Sequence, residues 1–444
     1  MATNWLLPVG ETLPFRGLSG PLTIVAGLGG GTQGQVFEVI YAGEHLALKW
    51  YFPSFLPRDP ELEQRLGQSI RVTAPSDDFL WPMALLKASD DEALAAYRGV
   101  PNLGYLMPLR PAAFVSAFDH ISGRVDVSLQ NALRACFHLA EGFHALHSNG
   151  LCYKDVSLGN LFLKPDEGSI LICDNDNVDI HGRGQTAVLG TPGFMAPEVV
   201  MGLAPPSNSS DLFSLAVLLF RLLTKHDPLR GEAELAFSCL NDSSRRQLYG
   251  EQPVFIFDPL NSSNRPNPDV HLAALITWPI YPRVLQQAFE TSFCAGLKDP
   301  GRRVLTGQWK AVLSTVLDQR HLCGHCGYEN FSGAASAGLC WNCGHELSPP
   351  SMLKGPQAKV CIAAGNALHA HHFDPQQGEA INRPWGRIVP HPSEQNVLGI
   401  ENCSSESWRV QLSNGRELRL EPGQRCNAAA VSTIQCSLGS LSAG

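Results

Sequence analysis

The sequence predicts an α+β chain built in three consecutive parts, and three observations carry that prediction. Short strand-like runs such as Leu22-Thr23-Ile24-Val25 and Leu46-Ala47-Leu48-Lys49-Trp50 come first, followed by longer apolar patterns of helical period. Two Cys-x-x-Cys pairs, Cys323/Cys326 and Cys340/Cys343, stand 13 residues apart in a short Gly-rich stretch. Beyond residue 358 the apolar residues alternate, with turn residues between the runs. The expected division is 1–317, 318–350 and 358–444, with Pro349-Pro350 and Lys354-Gly355-Pro356 marking the second boundary.

Composition sets the class. The chain has 444 residues, 44% of them hydrophobic and 17% charged, enough for sizeable cores. A net charge of −8 argues against nucleic acid as a partner, because phosphate binding needs a basic surface. The first fifteen residues have no basic stretch, so a secretory leader is not expected. The longest apolar run, residues 215–223, contains Arg221 and is far too short to span a bilayer. Of 13 cysteines, nine are scattered through apolar contexts, which fits a reducing compartment. A soluble, cytoplasmic protein is expected, with no membrane partner.

The first part reads in order. Gly29-x-Gly31-x-x-Gly34-x-Val36 would let a backbone hairpin approach phosphates closely, since no Cβ intervenes. Lys49 ends a mostly apolar strand, a costly place for a cation without an anion. Residues 60–72 can form a helix with Leu62, Leu66 and Ile70 on one face. Leu103-Gly104-Tyr105-Leu106-Met107-Pro108-Leu109 reads as a strand, and Pro108 has no N–H to donate. Residues 131–147 are helical, with Leu133, Phe137, Phe143 and Leu146 apolar.

That helix delivers the chain to Tyr153-Lys154-Asp155-Val156-Ser157-Leu158-Gly159-Asn160. A second Asp, Asp174, follows the apolar run Ser169-Ile170-Leu171-Ile172-Cys173. An Asp and an Asn five residues apart on one loop, with a further Asp beyond a short strand, suit phosphoryl transfer. One carboxylate can accept a hydrogen bond from an acceptor hydroxyl while the other two groups hold metal. Downstream come Leu189-Gly190-Thr191-Pro192-Gly193-Phe194-Met195-Ala196-Pro197-Glu198 and an all-round apolar helix from Asp211, whose carboxylate can cap it. Arg303 offers a bridge to Glu198. Residues 232–282 read as an insertion whose aromatics pack onto the helical region.

Seven motifs in this order resemble the eukaryotic-type protein kinases over about residues 20–317. The resemblance implies a bilobal protein-kinase-like fold, with a small lobe near 20–106, a large lobe near 110–317, and nucleotide between them. It implies ATP and Mg²⁺ (or Mn²⁺) as cofactors. ATP would lie against Gly29, Gly31, Gly34, Val36, Ala47, Lys49, Met107 and Leu109. Asp155 would be the catalytic base, Asn160 and Asp174 the magnesium ligands, and Thr191 a substrate-positioning residue of the serine/threonine type. Lys49 would contact the α/β-phosphates and pair with a helix acid: Glu63, with Glu61 as the near alternative and Gln68 closer to the usual spacing. Glu198, Asp211 and Arg303 would brace the fold, Asp211 through the catalytic-loop backbone.

Departures from the pattern matter. Lys154 stands where Arg is usual, Ser157 where Lys is usual, and Asp174-Asn175-Asp176 replaces Asp-Phe-Gly, so Asp176 adds a carboxylate facing the metal. This combination resembles a bacterial branch tied to tellurium-resistance-type phosphorylation triads, which implies a PP2C-type phosphatase and a von Willebrand A-domain protein as partners beside the protein substrate.

Two Cys-x-x-Cys knuckles can close a tetrahedral site, so a zinc ribbon over 318–350 is expected, with structural Zn²⁺ on Cys323, Cys326, Cys340 and Cys343 and with His325 and His345 as bystanders. In the tail, Trp408-Arg409-Val410-Gln411-Leu412 and Glu417-Leu418-Arg419-Leu420 flank a hairpin turn, Ser413-Asn414-Gly415-Arg416. A small all-β sandwich is expected, with a distant resemblance to forkhead-associated domains. The leading expectation is an active serine/threonine protein kinase. The alternatives are a pseudokinase-like nucleotide-binding scaffold and a small-molecule phosphotransferase, the last opposed by the 190–198 segment.

Overall fold

A computed structural model describes residues 5–180, 190–334, 338–394 and 397–444. Residues 1–4 of the N-terminal stretch and Leu189 lie outside the described residues.

Strand alternation builds the small lobe. Seven antiparallel strands form one sheet, ordered Thr12–Leu13, Leu22–Gly30, Gly34–Tyr41, Glu44–Tyr51, Gly104–Pro108, Ala84–Ala88 and Phe15–Arg16. In Glu44–Tyr51 the even positions Leu46, Leu48 and Trp50 enter a core with Phe37, Val39 and Leu106. The odd positions Ala47, Lys49 and Tyr51 face the other way, toward the helix and the cleft. The outer core also takes in Leu7, Leu13 and Phe15, so the small lobe begins well before residue 20. The helix Leu62–Arg71 buries Leu62 and Leu66 against Tyr51, Tyr105 and Leu80.

The large lobe is built on Leu129–Ser148, Asn208–Thr224 and Thr306–Asp318, whose apolar residues share one core. Asn208–Thr224 is buried nearly all round, as its composition predicts. Its cap is Ser207, whose hydroxyl accepts from the Ser210 amide, and not Asp211, which lies a turn inside the helix. The insertion packs inward: Phe255 and Phe257 meet Phe220 and Trp278, with Phe257 and Trp278 stacked at 4.5 Å.

The cysteine-rich stretch pairs Arg320–Leu322 with Glu329–Phe331 and leans on the large lobe. Glu329 accepts from the Leu129 amide at 2.5 Å, satisfying an orphan donor at that helix start. Beyond it, a six-stranded and a four-stranded antiparallel sheet enclose a core of Leu353, Trp408, Val410, Ile434 and Leu441. The hairpin Trp408–Leu412/Glu417–Leu420 forms around Asn414-Gly415, with Gly415 at φ 82°. The expected boundary at 358 moves: Met352–Lys354 already belongs to the six-stranded sheet, and Gly355-Pro356 is a turn inside it. Among the described residues, no helix is long and apolar enough to cross a membrane.

Candidate active site

The cleft lies between the two lobes, and the small-lobe sheet sets its roof. Register places Val36 opposite Lys49 and Ala47 opposite Met107. Val36, Ala47, Met107, Leu109 and Leu171 belong to one apolar cluster, a surface suited to a flat aromatic ring. In the glycine-rich hairpin the glycines do different things. A Cβ on Gly34 would stand 2.3 Å from the Trp50 carbonyl, so Gly34 serves strand contact. A Cβ on Gly31 would meet nothing within 4 Å, so that tip is open to a ligand.

Asp155 follows Lys154, which is held at φ 70°. Two bonds fix this strained turn: Asp211 accepts from the Tyr153 amide at 2.7 Å and from the Lys154 amide at 3.0 Å. The Thr191 hydroxyl donates to Asp155 Oδ1 at 2.7 Å. The Asn160 side-chain amide donates to the Asp155 carbonyl at 2.9 Å through its nitrogen, so its oxygen is not used in that bond. Arg303 holds Glu198 with a two-pronged contact at 2.8 and 2.7 Å, bracing the segment that carries Thr191.

Lys49 departs from expectation. Its ammonium is buried and donates to Asp174 Oδ1 at 2.5 Å, Asp176 Oδ2 at 2.7 Å and Gln33 Oε1 at 2.8 Å. Burial alone would lower its pKa, but Asp176 and then Asp174 outweigh that and raise it above the ordinary lysine value. Asp176 is held below the carboxylate range because Lys49, Tyr51 and Arg65 overcome the burial that would raise it. Asp174 is raised by burial, against the opposing pull of Lys49.

The helix supplies no acid to this lysine. Glu63 is exposed and pairs with Lys87 at 2.6 Å, on the surface. Glu61 is also exposed. The residue that the helix points inward is Arg65, because Leu62 and Leu66 fix which face is buried. Arg65 pairs with Asp59 at 2.6 Å, and its Nε donates to the Asp176 carbonyl at 2.7 Å. The helix therefore touches the loop through Arg65 and the Asp176 backbone carbonyl, while the expected acid-to-Lys49 contact is absent among the described residues.

Asn175, where an apolar residue is usual, is fully buried and donates to the carbonyls of Leu80 and Ile172 at 2.8 and 3.1 Å. Lys154 pairs with Asp179 at 2.9 Å, both side chains nearly inaccessible. The sequence reasoning missed Asp59, Arg65, Tyr51, Gln33 and Asp179. From the sequence, Asp176 reads as a further carboxylate facing the metal, whereas its Oδ2 pairs with Lys49.

The residues fit a divalent cation. Asp174 and Asn160 both offer oxygen donors, the Cys173 amide beside Asp174 donates to the Asn160 carbonyl at 2.9 Å, and Asp176 Oδ1 is a buried oxygen without a hydrogen-bond partner. The four cysteine sulfurs also fit their metal. All lie within 4.8 Å of one another, with Cys323–Cys343 at 3.7 Å and Cys326–Cys340 at 3.6 Å. A tetrahedral zinc with bonds of about 2.3 Å implies sulfur separations of about 3.8 Å. The Asn330 amide points at Cys340 Sγ, 3.5 Å away.

Residues 106–258 match the family model of the protein kinase domain. The glycine-rich hairpin and Lys49 lie before that match. The human protein kinase C delta type is 38% identical over 217 residues, covering 47% of this chain and 29% of that protein. Its mouse counterpart is 40% identical over 108 residues, 23% of this chain and 16% of that protein. Mitogen-activated protein kinase kinase kinase 7 of Drosophila melanogaster is 26% identical over 213 residues, 47% of this chain and 29% of that protein. The chain thus spans less than a third of the length of these curated relatives. Fold and similarity together make the first part of the chain kinase-like and support a serine/threonine protein kinase.

Proposed function

We propose that this chain transfers the γ-phosphoryl group of ATP to a serine or threonine of a protein partner. The observations that support the reading are the contacts of Thr191 and Asn160 with Asp155 and of Lys49 with Asp174. Asp155 would take the hydrogen bond of the acceptor hydroxyl, with Thr191 fixing its carboxylate. Lys49 would contact the phosphates from the roof. Mg²⁺ held by Asn160 and Asp174 would neutralise charge on the phosphates. Asp176 would keep Lys49 oriented in place of a helix glutamate.

The ribbon, with zinc on its four cysteines, and the β tail would dock partners. A bacterial phosphorylation module with a PP2C-type phosphatase and a von Willebrand A-domain protein is the context the sequence suggests, in the cytoplasm. The double claim of Asp174 and Asp176 on Lys49 favours one second reading, a nucleotide-holding scaffold without transfer.

One experiment separates the two readings. Purified protein is given ATP labelled on its γ-phosphate, alone and with candidate partners, and compared with Asp155→Ala and Asp174→Ala. Transfer by the wild type that drops at least about a hundredfold in both variants supports the kinase. Equal signal in all three contradicts it.

A further inference from the structure

Away from the cleft, a cavity of about 480 Å³ opens between the large lobe and the β tail. Arg134, from the helix Leu129–Ser148, and Arg387, from the tail strand Gly386–Pro390, both line it, with His138, Ser169 and the acid Glu167 beside them. Its walls are tied together. Gln130 Nε2 donates to the Gly365 carbonyl at 2.8 Å, Arg320 to the Ala364 carbonyl at 2.9 Å, and Asn366 Nδ2 to the Arg320 carbonyl at 2.8 Å.

Neither Arg134 nor Arg387 has a carboxylate partner among the described residues. The neighbouring acids are already engaged: Glu167 with Lys164 at 2.5 Å, Glu329 with Arg320 at 2.5 Å, Glu141 with Lys310 at 3.3 Å, and Glu401 with Arg425 at 3.0 Å. Arg134 is largely buried, and the charges of Arg320 and Arg387 bear on it, so its pKa is lowered by burial first and by those cations second. Burial and Arg134 also push His138 down to about 4, leaving a neutral imidazole that can share a hydrogen bond.

Two unpaired guanidiniums facing one preformed cavity call for an anion of matching charge. A single carboxylate would leave one cation uncompensated. We propose that this cavity binds a phosphomonoester dianion, held by the forks of Arg134 and Arg387, either on a phosphorylated side chain or as free phosphate. The inference rests on charge and geometry alone and does not require phosphoryl transfer by this chain.

Isothermal titration calorimetry on the full chain at low salt tests it. The probes are inorganic phosphate, a short phosphoserine peptide and the same peptide without phosphate. Arg134→Gln and the exposed Arg387→Gln are compared with Arg416→Gln, an exposed arginine on the distant hairpin turn. A phosphorylated probe should bind the wild type and Arg416→Gln alike, and should weaken about tenfold or more in each of the other two. Binding of both phosphorylated probes assigns the site to a phosphorylated side chain; binding of inorganic phosphate alone assigns it to the free ion. No binding by either, equal binding in Arg387→Gln, or equal binding of the unphosphorylated peptide overturns the proposal.

Discussion

Lys49 and Asp176 form a buried ion pair, Nζ to Oδ2 at 2.7 Å, across the seam between the small-lobe sheet and the metal loop. The Tyr51 hydroxyl donates to the same carboxylate oxygen, so three side chains from two lobes meet at one point. The lysine is therefore positioned by the loop that also carries Asp174. Asp174 and Asp176, two residues apart, both hold Lys49, without help from the helix acid.

Lys154 is already neutralised by Asp179, with both side chains buried. A cation next to Asp155 that has an internal carboxylate partner does not need an added phosphate to settle it. Phosphatase-treated protein is expected to keep its activity within about twofold, measured as initial transfer rate. Asp179→Asn leaves the Lys154 charge buried and alone, and should lower unfolding stability by about 3–5 kcal/mol in urea titrations.

Burial pushes Asp78 up to about 6, although the Ser76 hydroxyl donating to it pulls the other way. The folded value is above the unfolded 3.8, so the protonated form favours folding. That contribution is fully present below about pH 4 and is lost as pH rises through about 6. Asp78→Asn should therefore stabilise the protein at pH 7.5 by up to about 3 kcal/mol and change little at pH 4. Chemical denaturation at the two pH values checks the sign; an equal shift at both contradicts the assignment.

The cysteine cluster should carry about one zinc per chain after gentle purification, measured by elemental analysis. Cys340→Ser should lose it. Because Glu329 on the adjoining hairpin holds the start of Leu129–Ser148, metal loss should also lower the melting temperature of the whole chain. Protein purified without any bound metal would contradict the site.

Legibility in the sequence followed chemical necessity. Asp155, Asn160, Asp174, Thr191 and the four cysteines stand where chemistry restricts both residue type and spacing; Thr191 and Asn160 both bond to Asp155, and the four cysteine sulfurs lie within 4.8 Å of one another. The helix acid failed because it was chosen by residue type, without regard to which face of the helix is buried. Leu62 and Leu66 fix the buried face, which turns Glu63 outward to Lys87 and Arg65 inward to Asp59. The tail boundary failed because Gly355-Pro356 punctuates a hairpin as readily as a linker. The joint between tail and large lobe, with Asp318 on His372 at 3.1 Å and the Arg134 cavity, had no local signal, since its partners are far apart in the chain.

The most direct test of the account compares Glu63→Ala with Asp176→Asn in the ATP transfer assay, with Lys49→Met as the reference for a lost lysine. Glu63→Ala should retain kcat/KM within about twofold, because its partner Lys87 is a surface charge. Asp176→Asn should fall by about a hundredfold, toward Lys49→Met, since it removes the fully buried one of the two carboxylates on this lysine and leaves Asp174 as its only anionic partner. A large loss in Glu63→Ala together with near-normal Asp176→Asn would contradict the claim that the metal loop holds Lys49.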